Sequence, residues 1–327
     1  EPIGGRPSNF IVENVYWDAE VAGISSASVG EAMLTISMKQ QGTFENWDFI
    51  NIWDIIEDET YPYLREQGGP LDSYPETDKT GITQGDGTAN NPYQVTNLAG
   101  LNQMRSIAEA HYVLMNDIDA SETINWNDGE GWIPIGNNSN RFRGVFDGNG
   151  YTVSNLYINR PTSDYQGLIG YIENDGEVSN IILENVNITG RNYLGGLTGY
   201  NNRAPISSVT VTGNITGNNY LGLITGYSMY ADITEVFTSG MITGGNYVGG
   251  ISGQQNRFTL SNSYSVADIN GNSYVGGLTG YLYSSVSTTG NRAVITNSFF
   301  AGTVSGGNFT EPIGGRPSNF IVENVYW

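Results

Sequence analysis

One motif recurs at a fixed spacing in the second half of the chain and constrains the fold more than any other feature. It first reads Tyr-Leu-Gly-Gly-Leu-Thr-Gly and returns every 27 residues, at 193–199, 220–226, 247–253 and 274–280. A second column keeps the same 27-residue step and consists of Ile188, Ile215, Ile242 and Ile269. Repeats of this length indicate stacked supersecondary units that cannot bury their apolar faces alone.

The pattern inside each repeat is that of short β-strands. Apolar and small residues alternate between Ile206 and Val211, and Gly or Asn interrupts the pattern every few residues. A period of two with turn residues indicates strands, and the glycines exclude a pair of long helices. The sequence therefore predicts an all-β fold, a right-handed parallel β-helix (β-solenoid) of seven or eight coils. Each coil has three strands and three turns, with the isoleucine column inside.

Two details of the repeat lead to further expectations. A glycine column marks a corner where either a positive φ or close packing is needed, and it consists of Gly199, Gly226, Gly253 and Gly280. The isoleucine column continues at Val304 after 35 residues instead of 27. We therefore expect an eight-residue insertion in that coil, around residues 284–291.

The repeated Gly-Gly-Leu-Thr-Gly-Tyr element, with Asn-Ser-Tyr-Ser at 262–265 and Asn-Ser-Phe-Phe at 297–300, carries a resemblance. It resembles the GLUG motif of large bacterial surface and secreted proteins, and is similar to β-helical, haemagglutinin-like adhesins. Residues 142–156 resemble the opening coil that precedes such repeats. The resemblance covers most of residues 85–310 and the Trp-rich piece near the start. It implies a scaffold at the cell surface or outside the cell, and is uninformative about activity.

The two ends of the chain carry the same seventeen residues, because 1–17 and 311–327 are identical. We interpret the chain as one 310-residue period of a tandem array or filament, in which this segment is the last coil of each solenoid. An artefact of cloning or duplication at one end is the alternative. The residues predicted to join neighbouring units, head to tail, are Ile3, Phe10, Val12, Val15, Tyr16, Trp17, Ile313, Phe320, Val322, Val325, Tyr326 and Trp327.

The remaining segments divide by composition. Residues 1–17 would complete a preceding unit, 18–65 form a closing segment, 66–84 a linker, 85–310 the β-helix, and 311–327 its last coil. Apolar residues at helical spacing predict a capping helix over 97–110, and Thr35 is the predicted N-cap of a short helix over 36–41. The aromatic residues of the closing segment, including Trp47 and Trp53, are expected to form the core of a cap. A carbohydrate-stacking platform is the alternative.

Composition excludes several classes of function. The net charge is −20 with two lysines, which argues against nucleic-acid binding, and cysteine is absent. No apolar run approaches the length of a membrane span, so no membrane insertion is expected. No cofactor or metal site is predicted. Calcium and glycans stay open as partners besides the chain itself, since residues 85–87 and 147–150 offer oxygen ligands without EF-hand spacing.

Catalysis is the last function class considered. His111 is the single histidine and ends the predicted capping helix, so a catalytic role is not expected. Acidic pairs such as Asp117 and Asp119 resemble those of β-helical polysaccharide lyases and hydrolases, but cationic residues are few. The sequence thus predicts a structural link and not an enzyme. A polysaccharide-binding or polysaccharide-active β-helix is the alternative function, and a glycan- or ice-binding ladder of Thr and Asn a further one.

Overall fold

The computed structural model divides the chain into two units, residues Glu1–Lys79 and Thr80–Trp327. The structure describes residues 16–18, 31–44, 47, 53–54, 63–64, 82, 84–174, 176–256, 259–283, 293–314 and 320–327. The expected insertion around residues 284–291 lies outside these residues.

The predicted β-solenoid is confirmed in the second unit, where strands pair in parallel and wind through about six turns. A complete coil has three strands, for example residues 192–195, 198–202 and 206–216. In the described part of this unit, equivalent strands form one fifteen-stranded sheet and two five-stranded sheets. Fewer than the expected seven or eight coils are complete, because residues 93–129 supply strands to the large sheet alone and otherwise form short helices.

The elements have the following bounds. The first unit contains β1 (Tyr16–Asp18), β2 (Glu31–Met33), β3 (Trp53–Asp54) and β4 (Tyr63–Leu64), with 3₁₀-helices Ser37–Lys39 and Gln41–Thr43. The second unit contains β5 (Tyr93–Val95), β6 (His111–Leu114), β7 (Ile118–Asp119), β8 (Val145–Asp147), β9 (Thr152–Ser154), β10 (Tyr157–Asn159), β11 (Ile169–Glu173), β12 (Glu177–Thr189), β13 (Asn192–Gly195), β14 (Thr198–Asn202), β15 (Ile206–Thr216), β16 (Asn219–Gly222), β17 (Thr225–Met229), β18 (Ile233–Thr243), β19 (Asn246–Gly249), β20 (Ser252–Asn256), β21 (Thr259–Ser261), β22 (Tyr264–Ser265), β23 (Asp268–Asn270), β24 (Ser273–Gly276), β25 (Thr279–Tyr283), β26 (Ala293–Phe300), β27 (Val304–Ser305), β28 (Asn308–Glu311) and β29 (Phe320–Tyr326). Its helices are α1 (Leu98–Gln103) and the 3₁₀-helices Met104–Ser106, Ser121–Asn125 and Asn127–Gly129.

The repeat spacing sets the strand register. Ile188 pairs with Ile215, Ile215 with Ile242, and Ile242 with Ile269, each one coil further along the solenoid. All four side chains are buried, as are those of the second apolar column at Leu197 and its equivalents. Burying an aliphatic side chain of this size contributes about 1.5–3 kcal/mol, so these columns supply much of the stability of the stack.

At the repeated corner, the residue in the left-handed region is a tyrosine and not a glycine. Tyr193 and Tyr220 have φ values of 58° and 62°. Gly199 instead serves close packing, because a Cβ there would lie 2.6 Å from the carbonyl oxygen of Tyr193. A bulky residue with positive φ is strained by about 1–3 kcal/mol, so the surrounding coil must hold it in place.

The lower end of the solenoid, where the chain enters it, is covered. Helix α1 and the 3₁₀-turn after it bury Leu98, Leu101 and Met104. The Asn97 side chain accepts a hydrogen bond from the Gly100 N–H at 3.0 Å and caps α1. The helix predicted over 97–110 is therefore shorter than expected and ends at residue 106, because the chain turns there to enter β6. His111 begins that strand and does not end a helix.

The first unit combines strands, 3₁₀-turns and a small apolar cluster. Met38 and Phe44 are buried, with Met33 and Trp47 packed against them. The ring centroids of Phe44 and Trp47 are 4.9 Å apart, and Trp47 is half-buried. The helix expected over 36–41 is replaced by two 3₁₀-helices, since Gln40 between them is extended. The side chain of Trp53 lies outside the described residues.

Candidate assembly surface

The last coil of the solenoid has strand partners on one side only. In the described part of the chain, β28 pairs with β24, β29 pairs with β26, and neither has a partner on its other side. We call this outer side of β28 and β29 the upper edge. An unpaired parallel edge presents a row of free backbone donors and acceptors, which another strand can bind.

Large apolar side chains are exposed along the upper edge. The exposed fractions are 46% for Phe309, 41% for Val322, 68% for Tyr326 and 74% for Trp327. One coil below, Ile295 opposite Val322 is fully buried, whereas Phe299 opposite Tyr326 is 41% exposed because it lies on the outer face. Of the other predicted assembly residues, Ile313 and Val325 pack against the core, and Phe320 begins β29. The upper edge therefore combines unpaired backbone with apolar side chains.

Two side-chain ladders on the outer face of the large sheet lead to this edge. One is aromatic: the ring centroids are 4.5 Å apart between Phe237 and Tyr264, and 4.7 Å apart between Tyr264 and Phe299. Tyr326 is next in register, opposite Phe299. The other ladder is made of amides, and the Asn324 Nδ2 donates to Asn297 Oδ1 at 3.1 Å. Both ladders stop at the upper edge, where one more coil would continue them.

The N-terminal copy of the repeated segment is described only at its end. Tyr16 and Trp17 lie in β1, which pairs in parallel with β2 in the register Tyr16↔Glu31 and Trp17↔Ala32. The other predicted assembly residues of this copy, Ile3, Phe10, Val12 and Val15, lie outside the described residues. A role of either copy in assembly therefore stays a prediction.

Two carboxylates form ion pairs in the coils at the start of the repeats. Buried Glu173 accepts from Arg141 at 2.6 Å and from Arg143 at 3.1 Å. Burial alone would raise the pKa of Glu173, but the two arginines outweigh it and the pKa is lowered. Asp164 has its pKa lowered chiefly by hydrogen bonds from Arg191, at 2.8 and 2.7 Å. These contacts are structural and lie away from the upper edge.

The candidate cation loops are explained by turn chemistry. Asp86 Oδ1 accepts from the backbone and hydroxyl of Thr88, and these hydrogen bonds lower its pKa. Asp147 Oδ1 accepts from the Asn149 N–H at 2.8 Å and from Asn180 Nδ2 at 3.0 Å. Among the described residues, no group of three or more His, Asp or Glu side chains is placed to bind a metal ion.

A shallow groove lies on the outer face of the large sheet. Its lining is polar apart from one aliphatic side chain, and consists of Asn149, Gly150, Asn180, Ile182, Ser208 and Thr210. Such a surface can offer hydrogen bonds and a small apolar contact to a hydroxyl-rich ligand.

The sequence analysis missed part of the tyrosine column. Tyr165 stacks on Tyr193 with centroids 5.0 Å apart, and Phe309 stacks on Tyr274 at the same distance. The column thus runs through six coils. The first member follows a 28-residue step and its motif reads Gln-Gly-Leu-Ile-Gly, without the Gly-Gly pair, which hid it. A search for aromatic residues spaced by 27 or 28 positions, without the glycines of the motif, would have found Tyr165.

No family model matches the chain. Two relatives are each similar to part of the chain, and more than a third of the aligned residues are identical. Halomucin of Haloquadratum walsbyi is 34% identical over 192 residues, which cover 56% of this chain and 2% of halomucin. A protein described as a candidate Gly-rich membrane protein of Evansella cellulosilytica is 38% identical over 141 residues, or 42% of this chain and 16% of that protein. The chain thus spans a small fraction of either relative.

One solved structure shares the fold and corrects one expectation. It is a crystal structure from Bacteroides ovatus described as a candidate immunoglobulin A1 protease, with a TM-score of 0.58 and 21% identity, covering 75% of this chain and 77% of that one. The prediction that the chain is not an enzyme is contradicted, because this fold occurs in a protein named for an enzyme class. At this identity the likeness shows the fold alone. In the described part of the chain, no helix has the length and hydropathy required to cross a bilayer.

Proposed function

We propose that this chain is a structural link of an extracellular filament or adhesin stalk, which joins its neighbours head to tail through the repeated terminal coil. The observation that carries this proposal is that the segment repeated at both ends of the sequence forms β29, which stacks on β26 as a further coil of the solenoid. A solenoid of six turns at ~4.8 Å per coil is a rigid spacer about 30 Å long.

The relatives support a location at the cell surface or outside the cell. Both are far longer than the chain, as expected of proteins in which a solenoid is one segment among many, and one is described as a membrane protein. The net charge of −20 favours solubility outside the cell and disfavours non-specific association. The likeness of residues 195–200 to the GLUG motif fits the same role and belongs to this proposal.

A shortened chain tests the shared coil. Residues 1–310 contain the seventeen-residue segment once, at the start. Without residues 311–327, β26 loses β29 as its partner, and the identical segment of a second copy fits the vacated edge. Since each copy would then bind the next through a heterologous contact, the shortened chain should form open filaments. Sedimentation velocity and electron microscopy would detect them.

Two controls make this test specific. A synthetic peptide of residues 311–327 should cap the growing end and stop polymerisation, and a scrambled peptide should not. The full chain should assemble less, because its own β29 occupies β26. A chain of residues 1–310 that is folded yet monomeric at high concentration would contradict the shared coil.

The groove favours a second function, binding of a glycan. Asn180 and Thr210 place an amide oxygen and a hydroxyl beside Ile182, a combination suited to a sugar ring. Binding of oligosaccharides measured by calorimetry should weaken in Thr210→Ala and stay unchanged in Thr216→Ala, which is outside the groove. Equal affinities of both variants would place any glycan elsewhere.

A further inference from the structure

The strand that covers the upper edge can be identified from the two copies of the repeated segment. Tyr326 and Trp327 are identical in sequence context to Tyr16 and Trp17, since the fifteen preceding positions also match. At the C-terminal copy, the structure shows the partner on the lower side, where Tyr326 pairs with Phe299. At the N-terminal copy, it shows a second partner, where Tyr16 pairs with Glu31. Among the described residues, each copy therefore displays a partner that is not seen for the other.

Parallel pairing makes the two partners compatible. A strand in a parallel sheet has two sides, and inner strands of this solenoid use both, as Tyr264 does with Phe237 and Phe299. Tyr326 uses the side that faces β26. If Tyr326 paired with a residue like Glu31 on its free side, the aromatic ladder would end in a carboxylate. A charged residue at the end of a ladder is a common protection against further strand addition.

Trp327 supports the same arrangement. It follows Tyr326 and so occupies the column of Thr238, Ser265 and Phe300, which are buried in the coils below. Trp327 is nevertheless 74% exposed. A further coil above Trp327 would bury this indole, and burial of an aromatic side chain is strongly favourable.

We propose that a second copy of β2, Glu31–Met33, covers the upper edge in the register Tyr326↔Glu31 and Trp327↔Ala32. This inference rests on the proposed head-to-tail series of units. It identifies the strand that covers the last coil of each solenoid. The occupant is joined in the same polypeptide, directly after Trp327, through a second copy of residues 18–30. A separate chain fits less well, because its β2 already pairs with its own β1.

The apolar cluster of the first unit then follows the covering strand. Met33 is the last residue of β2 and packs against Met38 and Phe44. In the proposed arrangement, this cluster lies directly above Trp327 and shields it from water. The second copy of β2 and this cluster would thereby close the solenoid that precedes them.

The test uses the absence of cysteine from the chain. The full chain is extended after Trp327 by a second copy of residues 18–79, and Tyr326→Cys is combined with Glu31→Cys in the added copy. Residues paired in a parallel ladder lie within the Cα separation that a disulfide spans, so oxidised glutathione should close the bond in the folded protein. Mass spectrometry of the digested chain measures the fraction that is cross-linked.

Control pairs of cysteine substitutions show how the yield of the cross-link is to be interpreted. Tyr16→Cys with Glu31→Cys in the first copy tests the observed pairing and should cross-link to a similar extent. Tyr326→Cys with Thr35→Cys in the added copy is out of register and should cross-link at least ten-fold less. Ala32→Pro in the added copy should reduce the in-register bond, because proline removes a ladder donor.

Three results would overturn the inference. Equal yields from the in-register and out-of-register pairs, or no bond at Tyr326 when the Tyr16 pair closes, would show that β2 does not cover this edge. Cross-links between two separate full chains, one with Tyr326→Cys and one with Glu31→Cys, would show that the occupant comes from another chain. Polymerisation of residues 1–310 is measured independently, so failure here is distinguishable from failure of the proposed function.

Discussion

Tyr193 and Tyr220 lie one coil apart with ring centroids separated by 4.7 Å and ring planes 1° apart. Both residues have left-handed backbone conformations, which are strained for a bulky side chain. Stacking with the next coil offsets this strain, since aromatic pairs contribute about 0.5–1.5 kcal/mol beyond their buried area. The tyrosine column thus holds the corner of each coil in register with its neighbours.

Truncation of one tyrosine in the column should destabilise the solenoid. Tyr220 stacks on Tyr193 below and on Tyr247 above, each at 4.7 Å. Tyr220→Ala loses both contacts and keeps the positive φ. We expect a loss of about 2–3 kcal/mol, less than for a fully buried ring. Denaturant unfolding measures it, and Tyr220→Phe serves as the control that keeps the stack. Similar losses in Ala and Phe variants would show that the hydroxyl and not the ring matters.

One buried side chain is a candidate for stabilisation. Gln255 is buried, and neither its Oε1 nor its Nε2 has a hydrogen-bond partner. The same column holds Leu282 in the next coil, which fits without a polar group. Gln255→Leu should therefore raise the free energy of unfolding by about 1–2 kcal/mol, because a buried unpaired amide is costly.

The matched control lies two coils below. Asn201 Nδ2 donates to the Ala204 carbonyl oxygen at 2.8 Å, and its Oδ1 accepts from the Ala204 N–H at 3.0 Å. Asn201→Leu removes both bonds and should destabilise the protein. A gain in both variants would indicate that apolar volume alone decides at this column.

Alkaline pH should weaken the tyrosine column. Burial raises the pKa of Tyr193 to about 12, with contributions from Tyr220 and Tyr165. Below the ordinary value of 10.0 the phenol is neutral in the folded and the unfolded chain. As the pH rises above 10.0, the unfolded chain loses its proton first, so the free energy of unfolding falls until about pH 12. Phenolate absorbance and thermal unfolding measure this, and Tyr193→Phe should make the decline shallower.

Low pH should reduce the free energy of unfolding by protonating Glu173. Its pKa is lowered from the ordinary 4.5, so its stabilising contribution is present above pH 4.5 and is lost as the pH falls through the lowered value. Glu173→Gln leaves Arg141 and Arg143 without this partner and should cost about 1–2 kcal/mol at neutral pH, with a shallower decline in acid. The exposed Glu109, 3.5 Å from Arg143, provides the control Glu109→Gln, which should change stability little. Parallel acid profiles for Glu173→Gln and the unchanged chain would refute the assignment.

The sequence predicted the interior of the solenoid because the repeat and the alternation of residues point to one structure. Ile188 and its equivalents must lie on one face if strands of equal register stack, and the structure places them there. The backbone conformation at the repeated corner, between Tyr193 and Gly199, could not be predicted in the same way. Glycine is the usual residue with positive φ, so the pattern did not reveal that Tyr193 takes this role while Gly199 is needed for space.

The ends of the chain were predictable only in part. The identity of residues 1–17 and 311–327 led to the prediction of a shared last coil, which stays a prediction. The pairing of Tyr16 with Glu31 was not foreseeable, because residues 31–33 carry no repeat signature and alternate too briefly. The capping helix was predicted too long since Ala108 and Ala110, although buried, lie in the turn before β6.

The uniform register of the middle coils has a consequence for the length of the molecule. All the residue pairs between β15, Ile206–Thr216, and β18, Ile233–Thr243, join positions 27 residues apart, without a shift. Removing or duplicating 27 residues within this region brings together strands of matching register, with apolar residues in the same buried positions, such as Ile215 and Ile242. Unequal recombination in the gene can therefore shorten or lengthen the spacer by whole coils of ~4.8 Å and leave both ends unchanged.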